Sequence, residues 1–374
     1  MTDQISAQLK PSTLSGRRFM ALVKDQMRAH GLLVISCVIY FCVALAVTAS
    51  LNISFGFSAW PYLEMIFVFM VPMTFMASLI GVFFYMALIK KPKNLTRAFI
   101  NFYKPFIFEP TRWAKAVPAI AIMMLGFMAF TEMKSVIPLL NPYGWDVAFM
   151  ELDRLLHFGQ DPWRLLQPLF GSAAPTLVLN FVYNLWFFIM FGFWLASGWT
   201  KNDNGWERQF LLSFIWCWII GGTVLATIFS SMGPAFYDLI NAPTNPFAAQ
   251  MNFLQNLNES HEVMALGAQD MLREGYLNPA SGGLSGISAM PSLHNATSTL
   301  FMIAAYRIHK TFGHVMLAFL LCIIIGSVHL AWHYAVDAYA GILIAVIMWK
   351  LSGAALCWQD KHLALKRPTS KASP

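Results

Sequence analysis

Charge is scarce in this sequence. Asp, Glu, Lys and Arg make up 11% of its 374 residues, where soluble domains carry about 25%. Four windows, 31–63, 65–89, 165–200 and 209–237, contain no charged residue at all. Each is long enough for the ~20 apolar residues that cross a bilayer, and a soluble core would interrupt such runs more often. An ordinary cytosolic fold is excluded, and an all-α polytopic membrane protein is expected. Cysteine is sparse too. Cys37, Cys42, Cys217, Cys322 and Cys357 fall in or beside apolar segments without CxxC spacing, which argues against a disulfide framework or a zinc site. The first thirty residues are polar and basic and the first apolar run is too long for a signal core, so no cleavable signal peptide is expected. There is no inverted repeat of the transporter kind. No cofactor and no nucleic-acid partner is expected.

What is present is a succession of apolar segments. Eight spanning helices are predicted near 31–51, 65–89, 116–137, 173–198, 209–231, 293–309, 313–331 and 334–354, with Glu132, Lys134 and Asp337 intruding near the ends of the third and eighth. An even number puts both termini on one side, and the cytoplasmic bias of basic residues decides which. With both termini inside, 21 of the 25 basic residues are cytoplasmic and only Lys134, Arg154, Arg164 and Arg273 are outside. Acids run the other way, with 12 of 18 outside. The basic, aromatic segment 90–115 reads as a helix lying on an anionic leaflet. Segments 142–166 and 238–285 mix acids with apolar residues on the outer side, as functional elements or as passive caps over the bundle. A bacterial inner membrane with a periplasmic site is expected; a Golgi-type membrane has equivalent sidedness.

Few ionisable residues occur near the spans, which makes those that do informative. In "SGISAMPSLHNATS", Ser285 to Ser298, a small flexible loop delivers Ser292 and His294 to the mouth of the sixth span. In "SVHLAWHYAVDAYAG", His333 and Asp337 stand at the opening of the eighth, four residues apart and so on one helix face. The topology puts all three at the outer end. A neutral imidazole is a competent nucleophile toward phosphorus, and a carboxylate on its other nitrogen fixes the tautomer. A second histidine can protonate the leaving alkoxide and later deprotonate the acceptor. The loop's backbone N–H groups, with Ser288, and Ser292 at a helix start form an anion cradle. Histidines near helix ends also serve as plain hydrogen-bonding residues, and His294, His333 and Asp337, with His329 one turn before His333, are chemically able to form a metal site. His157, His261, His309, His314 and His362 are read as surface or interfacial.

These residues resemble a family. "AMPSLH", Ala289 to His294, followed about forty residues later by "HYAVD", His333 to Asp337, looks like the second and third signatures of the type 2 phosphatidic acid phosphatase superfamily. Within it the chain is most similar to the inositol phosphorylceramide synthase branch. "FSSMGPAFYD", Phe229 to Asp238, sits where that branch carries its first signature; "NPYGWDVAFMELDRLLHFG" and "YNLWF" are further shared features. The resemblance covers about 116–354 and implies a six-helix core, with His333 as nucleophile, Asp337 as its orienting partner, His294 as acid/base, and no metal. Two positions depart beyond Leu293, which replaces the usual glycine. The phosphatases' first-signature Lys and Arg are missing, and Ser327 stands where they have an arginine before the nucleophile. A phosphomonoester dianion needs several cationic donors and a phosphodiester fewer, so the departures favour a phosphodiester donor. Lys134, Arg154, Arg164 or Arg273 are available to substitute from the outer side.

The expected organisation is a cytoplasmic segment 1–30, two additional spans in 31–90, an interfacial helix 91–115, a catalytic core 116–354 and a cytoplasmic tail 355–374. His333, His294 and Asp337 are the expected catalytic residues, and Ser292, Ser327, Tyr237, Arg273 and Ser288 the expected substrate-binding ones. The expected activity is phosphoryl transfer through a phosphohistidine, from a phospholipid donor to a lipid hydroxyl acceptor, among membrane lipids. The alternatives are a lipid phosphate phosphatase, with water as acceptor, and a transporter. The last is disfavoured because the ionisable residues gather at one face rather than along a path.

Overall fold

The computed structural model describes residues 16–56, 60, 64, 66–199, 205–240, 242–278 and 286–365. Among them there is no strand. The expected terminal segments at 1–15 and 366–374, the basic residues Lys10 and Lys201, and residues 281–285 of the glycine-serine loop lie outside the described residues. The helices are α1 (Gly16–Ala29), α2 (Gly31–Ser50), α3 (Val68–Lys90), α4 (Leu95–Phe108), α5 (Pro110–Leu140), α6 (Asp146–Leu156) and α7 (Pro162–Phe170). They continue as α8 (Ala173–Trp199), α9 (Trp206–Ile228), α10 (Ala248–Asn258), α11 (Met264–Leu277), α12 (Leu293–Ile308), α13 (Lys310–His329) and α14 (Ala335–Leu365).

Seven of these, α2, α3, α5, α8, α9, α13 and α14, are long and apolar enough to cross a membrane. The protein is an integral, multi-pass membrane protein. The interrupted third and eighth predicted spans are continuous 31-residue helices, α5 and α14. The remaining predicted crossing, the sixth in chain order, is α12, whose 16 residues rise only about 24 Å. It sits inside the bundle, with Asn295 to Phe301 buried without a break, and its neighbours carry the contact with lipid. Segment 91–115 divides at Glu109, an extended residue between α4 and α5. α4 starts at Asn94, whose side chain accepts from the Arg97 amide at 2.9 Å, and Tyr103 anchors it to Ser78 of α3.

The additional helix α2 belongs to the core. Leu33, Cys37, Tyr40 and Ala44 form its buried face, and the Tyr40 hydroxyl meets Thr223 of α9 at 2.6 Å. Close crossing of α14 over α12 depends on Gly341, where a Cβ would strike the Ser292 carbonyl. That crossing brings the start of α14 against the start of α12, as it must for His333 and His294 to meet. The described part of the segment expected at 238–285 is built around α10 and α11 and lies over the end of α13. A helix end leaves its last carbonyls without partners. Here Gln250 donates to Val328 (2.7 Å) and His329 (3.1 Å), and Gln269 to Leu330 (2.9 Å).

Candidate active site

The turn from α13 to α14 carries the first histidine. Ala331 takes a left-handed conformation (φ 61°), and the Trp332 and His333 amides both donate back to the Ser327 carbonyl at 3.0 Å. This left-handed closure of a helix end turns His333 inward, where it is buried. The His333 Nδ1 lies 3.3 Å from Asp337 Oδ2, and the same oxygen accepts from the Tyr334 amide at 3.0 Å. Asp337 is fully buried, so its orientation is set by these bonds and by packing. The Ser292 amide donates to the Asp337 carbonyl at 3.0 Å, which joins the second helix.

α12 starts at Ser292, whose hydroxyl caps the Asn295 amide. His294 follows, half-buried, with its ring centroid 6.4 Å from that of His333. Tyr183 stacks on His294 at 4.6 Å and Trp186 lies 4.2 Å away. Both come from the "YNLWF" stretch of α8, three residues apart on one face. Trp332 stacks on Tyr183 in turn. The Tyr183 hydroxyl and the Trp332 indole nitrogen are shielded from solvent and have no hydrogen-bond partner among the described residues, so two neutral donors accompany the histidines.

The expected residues thus divide. His294, His333, Asp337, Ser292 and Ser327 come together, but the last two do so through internal bonds. Asn295 donates to Ser292 (3.0 Å) and Ser327 (3.3 Å), and Ser327 donates to Ile324. Ser288 is half-buried in the described part of the glycine-serine loop. This loop is pinned where the Ala289 and Met290 amides donate to Ser231, and Ala289 is within hydrogen-bond reach of the His333 ring. Tyr237 is buried in a neighbouring apolar cluster with Phe149, Phe247 and Tyr334. Arg273 makes a bidentate pair with Asp238 (2.7 and 2.8 Å) and donates to the Ala235 carbonyl (3.0 Å). The guanidinium holds the Asp238 carboxyl below the usual carboxylate range. His329 turns to Thr176 at 2.9 Å. Among the described residues no three His, Cys, Asp or Glu side chains are disposed to hold a metal.

Sequence reasoning missed two aspartates on α6. Asp146 accepts from Met232 (3.0 Å), Gly233 (2.8 Å) and the Tyr334 hydroxyl (2.9 Å). It therefore ties the first-signature segment to the residue next to His333. Gly233 is needed there: its φ is +94°, and a Cβ would approach the Trp332 carbonyl to 2.8 Å. Asp153 accepts from Ala335 (2.8 Å) and Val336 (2.9 Å), the first amides of α14, which a carboxylate satisfies best. The signal was in the spacing: seven residues, two helical turns, put both on one face. Burial raises both carboxyls, Asp153 to about 6, against the pull of the amides that bond them. Burial, with the Lys134 charge behind it and Ala289 opposing, draws His333 down to about 3.

The sequence profile of the PAP2 superfamily matches residues 147–351, more than half of the chain, with His294, His333 and Asp337 inside it. The chain belongs to the PAP2 superfamily. No curated protein and no solved structure matches it. This PAP2 protein is a membrane enzyme of the phosphatase type that acts on lipid phosphates. The match begins after Asp146 and leaves out α1–α5, including Lys134, which packs against Gly286 of the loop that leads to His294.

Proposed function

We propose that this PAP2 protein is a lipid head-group phosphotransferase resembling the inositol phosphorylceramide synthase branch, with a phosphodiester lipid as donor. His333 attacks phosphorus with the nitrogen not held by Asp337, an N–P bond forms and the P–O bond to the departing lipid alkoxide breaks. His294 enters as the imidazolium, favoured by an anionic phosphate between the rings, and gives its proton to that alkoxide. It recovers a proton from the hydroxyl of a second lipid as that oxygen attacks the phosphohistidine and the N–P bond breaks. A nucleophile must come within about 3–3.5 Å of phosphorus and a general acid within about 2.6–3.2 Å of its oxygen. Rings 6.4 Å apart suit one phosphoryl group between them.

The observation that carries this reading is the supply of positive charge. Of the four basic residues assigned to the outer side, Arg154 and Arg164 are paired with Asp161 and Arg273 with Asp238. Lys134 is the one of the four with no carboxylate partner among the described residues, and it packs against Gly286 of the loop that leads to His294. One cation with neutral donors suits a phosphate bearing one negative charge and leaves a dianion undercompensated. The bias of basic residues supports a site facing outward, the periplasm in a bacterial inner membrane. A second reading, a lipid phosphate phosphatase with water in place of the acceptor, is favoured by the general character of the superfamily. The deciding experiment incubates purified protein with a panel of labelled phospholipids, with and without ceramide or diacylglycerol, beside His333→Ala. Acceptor-dependent label in a new lipid supports transfer; release of free phosphate alone supports the phosphatase; equal turnover by His333→Ala refutes the phosphohistidine.

A further inference from the structure

α6 and α7 follow one another outside the spanning helices, tied at their connecting turn by the Arg154–Asp161 pair. This hairpin packs chiefly on the bundle, α6 on α14 and α7 on α13 and α8, and its buried and exposed residues are chemically opposite. One face of α6 carries the buried Asp146, Phe149, Met150 and Asp153 that hold the turn bearing His333. The other face and the tip expose large apolar side chains: Leu155 is 78% exposed, Phe158 92% and, on α7, Leu169 74%. Val147, Leu152, Leu156 and Leu165 add to them. At the tip Phe158 takes φ 60°, a conformation rarely adopted by aromatic residues. A patch of this kind facing water is a liability rather than a neutral feature.

What covers the patch is indicated by where the tip is attached. His157, next to Phe158, meets the hydroxyl of Tyr339 on α14 at 2.8 Å. Tyr339 begins an exposed stripe, Tyr339, Leu343, Ile347 and Leu351, spaced by four residues along a spanning helix. On a membrane-crossing helix an exposed apolar stripe of this kind suits contact with lipid. The hairpin's apolar surface is therefore continuous with the belt of the membrane-spanning bundle at the histidine end. Arg154 and Arg164, folded over Asp161 at the hairpin's neck and still partly exposed, have the arrangement of cations at head-group level above an apolar body.

We infer that the α6–α7 hairpin is embedded in the leaflet on the histidine side, with Phe158, Leu155 and Leu169 among the acyl chains. Its occupant is lipid, bound by apolar contact and by the two arginines at the rim. Through Asp146 and Asp153 the element that meets lipid is also the one that holds the His333 turn. On the proposed function above, the hairpin is thus the lip across which lipid substrates pass to the site; the embedding itself does not depend on that function.

The test uses the full-length protein reconstituted in vesicles of phosphatidylcholine and phosphatidylglycerol, with the partly or fully exposed Cys42, Cys322 and Cys357 replaced by serine. Phe158→Cys and, separately, Leu169→Cys carry a nitroxide label, with His261→Cys on the exposed α10–α11 connection as a water-facing control. Relaxation by oxygen, which concentrates in lipid, is compared with relaxation by a water-soluble nickel chelate. The expected result is oxygen dominating at 158 and 169 and the chelate dominating at 261. Chelate dominance at 158 and 169 would overturn the inference, and so would shielding from both reagents, which would mean that protein covers the patch. Both positions are exposed, so labelling costs no core packing, and the readout requires no turnover.

Discussion

Asp146→Ala is the perturbation that most directly tests how the site is held together. Asp146 is 1% exposed and satisfies three donors: the Met232 and Gly233 amides and the Tyr334 hydroxyl. Leaving a buried donor without a partner costs about 1–3 kcal/mol. Three of them cost at least about 3 kcal/mol, less whatever water recovers. This strain falls on the contact between the first-signature segment and Tyr334, the immediate neighbour of His333, and misplacement of a reacting group by about 1 Å is enough to cost 10²-fold in rate. The expected outcome is a fall in kcat of about 10²-fold with KM little changed, since Asp146 does not itself reach substrate. Asp146→Asn keeps one accepting oxygen for Gly233 and Tyr334 and should recover a large part of the loss. The assay is steady-state turnover of the labelled donor in detergent, with thermal unfolding of each variant measured alongside. A folded Asp146→Ala variant with kcat within threefold of wild type would refute the positioning argument, as would a loss expressed in KM alone.

Three further outcomes follow from the same geometry. Asp337→Asn removes the carboxylate charge that fixes the His333 tautomer and stabilises its imidazolium, and should lower kcat by about 10³–10⁴-fold, measured by single-turnover label transfer in a folded protein. Lys134→Gln should lower kcat/KM by about 10²–10³-fold if its charge serves the phosphate; a change below threefold would pass that role to another cation. For Asp153 the sign matters: its carboxyl is raised from 3.8 to about 6, so the folded state takes up the proton more readily than the unfolded chain. Its contribution to stability should fall as pH rises from about 4 to about 6, then level off. Turnover should rise across the same window, because the carboxylate is the form that accepts from Ala335 and Val336. Asp153→Asn should flatten both profiles, read by thermal unfolding and by activity against pH.

Much was legible because bilayers and phosphoryl chemistry leave local marks. Charge-free windows announced the spans; the four-residue spacing of His333 and Asp337 read as one helix face, but His333 lies in the turn before α14 and reaches Asp337 from there. Glu132 and Lys134 made α5 look interrupted, yet the helix is continuous: Glu132 is buried, accepting from the Gly56 amide, and Lys134 packs against Gly286. α12 was legible as a span in composition but is short by length, because surrounding helices replace lipid along its sides. Asp146 and Asp153 read as ordinary acids of an outer segment, since nothing in their neighbourhood says that their partners lie about 85 to 190 residues away.

By itself the sequence determined the class of the molecule and most of its spans, and it singled out the histidines and aspartate that meet at one end, since each depends on composition or on local spacing. Tertiary structure alone decided which outer basic residue is left without an acidic partner, which aspartates hold the turn between α13 and α14, and which apolar surface is left exposed. Those follow from how α5, α6, α8, α12 and α14 meet at one end of the bundle. An ion pair, a cap and an exposed face are properties of two elements together, and neither sequence segment contains them alone.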